Sequence, residues 1–272
     1  MQRVVIPGDL SDVLDEAWQA ASQVPGFLEE PEARFLGTVA ACTPCKGAIV
    51  EIGSFKGKST VMLAKVARHY GLDPVIAIDP HNFNSAELQA CKTAADASTY
   101  EEFLNNVERA GVSDYVQPQR AFASTVAATW NAPIRFLWID GDHTYQGAKC
   151  DFDGFFRHVS AYGIVALHDA LHEFSGPLRV FVEEMLRSDK FGAAGFVGSI
   201  AWSQFRPDDG AVFQKEHAAL ERLAAPIVSL VKNDLELRGL RKIAFKLYRA
   251  RVPRALCSPN EWAAQLAGRQ QS

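Results

Sequence analysis

Short apolar runs alternate along the chain with stretches of helical periodicity. Four runs of mainly hydrophobic residues end in acidic or polar side chains: AIVEI (48–52), PVIAID (74–79), IRFLWID (134–140) and GIVALHD (163–169). The stretches KSTVMLAKVARHY, TYEEFLNNVERAG and TYQGAKCDFDGFFRHV between them have helical spacing. Continuously apolar strands that alternate with helices predict an α/β protein with a parallel, doubly wound sheet. Ligands of such sheets bind beyond the carboxyl ends of the strands, so the polar residues ending these runs should meet at one edge.

Two further segments frame this core. The stretch PGFLEEPEARFLGTVAACT (25–43) predicts a helix with Pro31 near its start. After residue 190, FGAAGFVGSIAWSQFRP predicts two short strands that turn at Gly198 and Ser199. The composition changes from about residue 207 onward, so we predict a domain at 1–206 and a helical, basic extension at 207–272.

The extension contains an amphipathic pattern. Seven arginines and lysines and no acidic residue lie between residues 237 and 256, and Leu240, Ile243, Ala244 and Leu247 share one side of a predicted helix. One interpretation is contact with a membrane surface or an acidic partner. The interpretation that we favour is a helix that packs on the core or on a second subunit, with its basic side solvated. A homo-oligomer is therefore one expected assembly.

Composition narrows the class of protein. With 272 residues, 48% of them hydrophobic, the chain can bury a large core, and its net charge of −4 gives no overall basic field for nucleic acid. The N-terminus lacks the apolar segment of a signal peptide, and no apolar run approaches a membrane span, so a cytoplasmic protein is predicted. The five cysteines are scattered, and the CTPC at 42–45 has no partner motif, which argues against disulfides or zinc.

The stretch EIGSFKGKST (51–60) is a glycine turn after the first predicted strand. A nucleotide-binding P-loop needs four residues before its Gly-Lys pair, whereas Gly53 and Gly57 enclose three, and Glu51 lies where a triphosphate would bind. A dinucleotide-binding turn needs a second glycine that is absent here. S-adenosylmethionine is cationic, which suits Glu51, and Asp79 ends the second strand where a carboxylate can bind both ribose hydroxyls.

These motifs resemble a known family. The pattern VEIGSFKGKSTVMLA followed by VIAIDP resembles motif I and the acidic loop of class I S-adenosylmethionine-dependent methyltransferases. FLWIDGDHTYQGAKCDFDGFFRHVSAYGIVALHDA (136–170) is similar to one subfamily, which includes enzymes like macrolide-sugar and rhamnosyl O-methyltransferases and cephalosporin-biosynthesis proteins. The similarity spans roughly residues 25–205. It implies a Rossmann-like sandwich with a seven-stranded, mostly parallel sheet, here with a C-terminal helical extension.

The resemblance also implies roles for individual residues. It places the cofactor against Glu51, Gly53, Ser54, Gly57, Asp79, Ser124 and Asp140. It implies a divalent metal such as Mg²⁺ at Asp140, His168 and Asp169, and it makes His143 the general base. The fifth strand ends in His-Asp instead of Glu-Asp, so a Mg²⁺ site would lack one oxygen ligand. Two alternatives stay open: His143 as a helix-capping residue, and Asp140 with Asp169 as a metal-free site for cofactor or substrate.

The predicted function is O-methylation of a hydroxyl on a sugar, glycan or small natural product. A histidine that titrates near neutrality can take the hydroxyl proton, and a cation can lower the pKa of that hydroxyl. The alternatives are a metal-independent methyltransferase acting on another nucleophile, and a non-catalytic cofactor-binding protein that docks through its basic extension. The acceptor is expected to lie against the loops at 81–98 and 170–178.

Overall fold

The computed structural model describes residues 4–82, 99–232, 237–254 and 258–267. The acceptor loop predicted at 81–98 lies almost entirely outside these ranges, as do Cys91 and Cys257. Seven strands form one sheet: β1 (Ala48–Ile52), β2 (Val75–Ile78), β3 (Val116–Gln119), β4 (Ile134–Ile139), β5 (Val159–Leu167), β6 (Phe191–Val197) and β7 (Ile200–Phe205).

Helices cover both faces of this sheet. The α-helices of the described ranges are α1 (Leu10–Ala21), α2 (Glu30–Cys42), α3 (Lys58–His69), α4 (Thr99–Arg109), α5 (Ala123–Ala127), α6 (Tyr145–Phe156), α7 (Gly176–Val180), α8 (Gln214–Val231), α9 (Gly239–Arg249) and α10 (Pro259–Ala267). Helix α7 continues as a π-helical segment, Phe181–Leu186, and short 3₁₀ turns occur at Ser113–Tyr115 and Gly210–Phe213. Within the described ranges, no helix has both the length and the apolar character needed to cross a membrane.

The strand order is β3-β2-β1-β4-β5-β7-β6. Strands β1 to β5 run parallel to one another, and β7 pairs antiparallel with both β5 and β6. Chain connections diverge from β1 toward β2 on one side and toward β4 on the other. Ligands bind at such a switch point in α/β sheets. The seven-stranded, mostly parallel fold predicted from the sequence is confirmed.

The structure corrects some of the predicted strand boundaries. The strand expected at 163–169 spans Val159–Leu167, because Val159 already pairs with Ile134 across a register shift in β4. The strands β1, β2 and β4 lie where the apolar runs predicted them, whereas no apolar run predicted β3 (Val116–Gln119). Their terminal acids, such as Asp79 and Asp140, stand just beyond the last paired residue and are free to take part in a site.

The core has one layer on each side of the sheet. Helices α1 to α3 bury residues such as Leu36 and Val61 against one face, and α6 to α9 bury Phe155 and Ile227 against the other. The extension contributes to both layers, because Phe245 of α9 joins one and Trp262 of α10 joins the other. The boundary between residues 206 and 207 stays a prediction, but the packing is that of a single unit.

Helix α9 packs with a different side from the one expected. Phe245 is 2% exposed and faces the core beside α8. Leu240, Ile243 and Leu247 are 83%, 56% and 61% exposed. The expectation that this aliphatic side packs on the core is therefore wrong. Phe245 lies on the opposite side of the helix and is its buried residue, and the partly buried Tyr248 packs against the same core layer.

Candidate active site at the carboxyl edge of the sheet

Glu51 is a fully buried carboxyl group near the end of β1. It accepts hydrogen bonds from the hydroxyls of Ser59 and Thr60, in the first turn of α3. Burial raises its pKa to about 8; the two hydroxyls oppose this rise, and the nearby Asp140 and Asp79 add to it. Ser59 and Thr60 of the GKST stretch therefore form hydrogen bonds with the Glu51 carboxyl group.

Lys58 of the same stretch does not face the glycine turn. Its Nζ lies 3.3 Å from the carbonyl oxygen of Gly26 and 5.4 Å from the centre of the Trp18 ring. The lysine of a P-loop reaches over the phosphates instead. This geometry agrees with the sequence argument against a nucleotide-binding loop.

The glycine turn needs glycine for conformation and for space. Gly53 has φ +85°, and a Cβ there would stand 2.0 Å from the carbonyl oxygen of Asp140. The turn thus approaches the end of β4 closely, as the hydrogen bond from the Asp140 amide to the Ile52 carbonyl also shows (2.8 Å). Gly57, with φ +93°, begins α3. Neither position accommodates another residue without strain.

Asp79 ties the second strand to the glycine turn. Its carboxylate accepts the Phe55 amide at 2.8 Å and the His81 amide at 2.6 Å. These bonds fix the carboxylate at the carboxyl edge, with its remaining lone pairs available to a ligand. Both donors belong to the turns that follow β1 and β2.

Ser54 and Ser124 occupy different surroundings. Ser54 is buried, and its hydroxyl has no hydrogen-bond partner among the described residues. A buried hydroxyl is normally paired, so this one marks a position where a bound group can complete the turn. Ser124 is exposed in the first turn of α5 and lines a surface groove of about 650 Å³ between α5 and α6. The described hydrogen bonds do not link it to the other predicted cofactor residues.

Asp140, His143 and Asp169 form a compact cluster beyond β4 and β5. The Nε2 atom of His143 lies 3.3 Å from Oδ1 of Asp140 and 3.7 Å from Oδ2 of Asp169. Its ring stacks on Phe174 at 4.8 Å between centroids. One ligand atom from each of the three polar residues lies within 4.8 Å of the others, which is close enough to hold a metal ion.

His143 is not the N-cap residue of helix α6. Thr144 is the N-cap of α6, and its hydroxyl accepts the Gly147 amide at 3.1 Å. Asp142 accepts the amide of Thr144 and shapes the preceding turn. The imidazole of His143 is left to face the two carboxylates.

His168 lies between two carboxylates instead of joining the metal-sized cluster. Its Nδ1 is 3.0 Å from Oδ1 of Asp140, and its Nε2 is 3.4 Å from Oε2 of Glu32. Burial alone would lower the pKa of His168, but Asp140 and Glu32 outweigh burial and raise that pKa well above the usual 6.5. His168 also lowers the pKa values of the Asp140 and Glu32 carboxyls. Burial alone would raise these two pKa values, but the charge and hydrogen bonds of His168 outweigh burial. The two carboxylates therefore favour the protonated form of the buried His168 ring.

Sequence reasoning missed Glu32 and Ser199. Glu32 comes from the first turn of α2, and it accepts the amide and hydroxyl of Ser199 at 2.7 and 2.8 Å. Glu32 lies in α2 and Ser199 in the turn between the antiparallel strands β6 and β7, so the polar residues that end the parallel strands did not point to either. His172 lies in the loop after β5, and its Nδ1 is 3.0 Å from Oδ1 of Asp169. The hydrogen bond from His172 and the charge of His168 outweigh burial and lower the pKa of the Asp169 carboxyl.

The two cysteines of the CTPC stretch are unsuited to redox or metal chemistry. Burial raises the pKa of both the Cys42 and Cys45 thiols to about 11, against a smaller opposing effect of Arg135. Thiolates are the reactive and metal-binding form, and these thiols stay protonated at neutral pH.

The chain matches known proteins through the region that builds this site. Residues 50–170 match the sequence model of a methyltransferase domain family. The protein R132 of Acanthamoeba polyphaga mimivirus, itself uncharacterized, is 26% identical over 120 residues, which are 44% of this chain. The match covers 50% of that relative's own length.

Solved methyltransferases share the fold. The O-methyltransferase NovP superposes with a TM-score of 0.54 at 15% identity, covering 72% of this chain and 98% of its own. The cofactor-bound protein Rv0187 from MTB gives 0.52 at 18% identity, covering 75% and 92%. The SAH-bound methyltransferase PaMTH1 of Podospora anserina gives 0.51 at 14% identity, covering 74% and 89%. At these identities the likeness establishes the fold.

Proposed function

We propose that the protein is a class I, S-adenosylmethionine-dependent methyltransferase that O-methylates a hydroxyl of a sugar, glycan or small natural product, since residues 50–170 match the sequence model of a methyltransferase domain. The observation that carries the proposal is the position of His143. Its imidazole lies between two carboxylates at the sheet edge, beside the glycine turn. A hydroxyl is a poor nucleophile until a base removes its proton, and this edge supplies one.

The residues of the turn suit S-adenosylmethionine. Glu51 can ionise against a cationic ligand, and the unpaired Ser54 hydroxyl can bond to one. Asp79 retains lone pairs for ribose hydroxyls, and Gly53 leaves room for close approach of the backbone. When bound, this cofactor supplies an electrophilic methyl group on a sulfonium. NovP, described as an O-methyltransferase, shares the fold.

The proton route follows from the imidazole geometry. In the proposed tautomer, Nε2–H of His143 is donated to Asp140, and Nδ1 carries the lone pair that would take the hydroxyl proton. Asp140 and Asp169 stabilise the imidazolium that forms, and Phe174 fixes the ring plane. Much of the rate enhancement should come from aligning the acceptor oxygen with the methyl group and the sulfur of the cofactor. The residues at this edge would hold the acceptor in that position.

In a second arrangement, the same site would hold a divalent cation. The close approach of Asp140, His143 and Asp169 favours this arrangement. An ion held there would lower the pKa of the acceptor hydroxyl. His168 stays outside this ligand set, because its two ring nitrogens face Asp140 and Glu32. The proposed ligand set thus contains His143 in place of His168.

The test is methyl transfer from S-adenosylmethionine to a panel of sugars, glycosides and phenols, with EDTA, Mg²⁺ or Mn²⁺. We expect His143→Ala to lower kcat by roughly 10²- to 10⁴-fold, as for loss of a general base, while cofactor binding measured by calorimetry is unchanged. The exposed His69 serves as the matched control in a His69→Ala variant. Activity that survives EDTA supports the metal-free base. Cofactor binding without transfer to any hydroxylated acceptor would contradict the proposal.

A further inference from the structure

We propose that helix α9 is a docking surface for anionic lipid bilayers. The helix presents three large aliphatic side chains to solvent, with Leu240 83% exposed, Ile243 56% and Leu247 61%. They lie on one side of the helix, because residues three, four and seven apart share a helical face. We call these three residues the aliphatic stripe.

The stripe points outward because the rest of the helix is held in place. Phe245 is buried on the opposite side. Arg241 donates to the Leu230 carbonyl of α8 at 2.6 Å, and Lys242 pairs with Glu173 at 3.2 Å. Rotating the stripe into the core would break these contacts and expose the Phe245 ring. The outward position is therefore a property of the folded protein.

Basic side chains border the stripe. Arg241 follows Leu240 on one border, and Lys246 lies beside Ile243 on the other. Seven arginines and lysines and no acid occur between residues 237 and 256, although the whole chain carries a net charge of −4. An apolar stripe with basic borders is the pattern of helices that lie in the plane of a membrane interface. The long Lys and Arg side chains can reach the headgroups while the aliphatic groups enter the acyl boundary.

Charge favours a lipid surface over a second copy of the chain. A symmetric pair of α9 helices would bring the same basic residues against each other, and like charges across an interface are destabilising. A bilayer with anionic headgroups supplies the opposite charge along the whole helix, and each basic residue near such a surface strengthens binding.

The helix lies beside the candidate active site. Glu173, which pairs with Lys242, follows His172, the partner of Asp169. The carbonyl of Arg254 accepts the amide of Gly198, in the hairpin that carries Ser199. Docking through the stripe would hold the carboxyl edge of the sheet near the lipid surface. The lipid-docking proposal stands independently of the methyl-transfer proposal.

The experiment is cosedimentation of the full chain with vesicles of phosphatidylcholine alone or mixed with phosphatidylglycerol. We expect binding only to the mixed vesicles, with affinity falling as NaCl rises. Leu240→Gln/Ile243→Gln/Leu247→Gln should weaken the partition coefficient at least roughly tenfold. Arg241→Gln/Lys246→Gln should weaken it about fivefold per charge. The stripe variant should keep the circular dichroism and unfolding midpoint of the parent, since its three side chains are exposed. Arg241→Gln also removes the bond to the Leu230 carbonyl, so Lys246→Gln alone repeats the charge test with that bond intact.

Matched control variants remove aliphatic and basic side chains that are exposed outside α9. Val212→Gln removes an aliphatic side chain that is 71% exposed, and Lys215→Gln/Arg222→Gln removes two exposed charges on α8. Neither control should change binding. Failure of the parent to bind mixed vesicles, or equal binding by the stripe variant, would overturn the proposal. A dimer in sedimentation velocity that the stripe variant loses, without vesicle binding, would assign the stripe to a second copy instead.

Discussion

At the scale of single residues, the ionisation of Glu51 should make ligand binding at the glycine turn depend on pH. Its pKa of about 8 lies above the usual 4.5 of a glutamate, because burial disfavours the charged form. The unfolded chain releases this proton at lower pH than the folded protein does. Folding stability from this group therefore falls as the pH rises from about 4.5 to about 8, and a cationic ligand reverses the preference by favouring the ionised form.

We predict that Glu51→Gln weakens binding of S-adenosylmethionine by roughly 10- to 100-fold, the size expected for loss of a charge-assisted contact. In the parent protein, affinity should rise with pH through about 8 as Glu51 ionises, and the variant should lose this rise. Calorimetric titration between pH 6.5 and 9 measures both effects. An unchanged affinity in the variant would remove Glu51 from the cofactor site.

His168 has the opposite dependence on pH. Its pKa is raised above 6.5, so its stabilising contribution is complete below about pH 6.5 and is lost as the pH rises through the raised value. The lowered pKa values of Glu32 and Asp140 mean that the carboxylates lose their contributions only when the pH falls below their usual values of 4.5 and 3.8. The Glu32–His168–Asp140 contacts are thus fully formed in the weakly acidic range.

We predict that His168→Asn lowers the free energy of unfolding by about 3 kcal/mol at pH 6, because it leaves two buried carboxylates without their cation. The difference from the parent should shrink at alkaline pH. Urea unfolding at pH 6 and pH 9 tests this. His69→Asn is the control, because its exposed pairing with Asp9 should contribute little at either pH. An equal loss at both pH values would show that packing, not charge, keeps His168 in place.

At the scale of secondary-structure elements, the site depends on how closely the turn after β1 approaches the end of β4. Gly53 has φ +85°, and a side chain there would meet the Asp140 carbonyl at 2.0 Å. Any substitution must therefore separate two central strands of the sheet or distort the turn between β1 and α3. Asp140 would move with the backbone that carries it.

We predict that Gly53→Ala costs roughly 2–4 kcal/mol of folding stability and abolishes cofactor binding, because both conformation and space oppose a Cβ. The matched control is Gly71→Ala after α3. Gly71 also has positive φ, +61°, but a Cβ there would meet open space, so only the conformational cost of about 1 kcal/mol applies. Thermal unfolding compares the two variants, and equal losses would show that the close approach to β4 has no energetic consequence.

At the scale of the whole molecule, the C-terminal extension belongs to the core. Trp262 of α10 is fully buried and lies 6.1 Å from the ring of Trp202 in β7. Phe245 of α9 joins the core layer on the other face of the sheet. An extension that only docked at the surface would leave such side chains exposed.

We predict that Trp262→Ala lowers the free energy of unfolding by about 3–5 kcal/mol, as for other large aromatic residues removed from a core. Leu240→Ala, in the same extension but 83% exposed, should change it by less than about 0.5 kcal/mol. Urea unfolding of both variants provides the comparison. Near-equal stabilities would support an extension that folds apart from residues 1–206.

The sequence by itself predicted most strands of the sheet, the glycine turn and a resemblance to methyltransferases, because these depend on local signals. Apolar runs predicted the strands, and parallel topology brought the terminal acids Asp79, Asp140 and Asp169 to one edge. Spacing alone also distinguished the turn at Gly53 from a P-loop. The family resemblance, now supported by the match over residues 50–170, depended on the same short motifs.

Only the tertiary structure decided how the histidines and α9 are used. His143 faces the carboxylates while His168 is held by Glu32, which lies 136 residues away in sequence. Such a contact has no local pattern, because it depends on how α2 packs against the sheet. The helical spacing of α9 likewise could not reveal that Phe245, and not the longer aliphatic side, meets the core. Which face is buried depends on the neighbouring surface, and that surface exists only after the chain has folded.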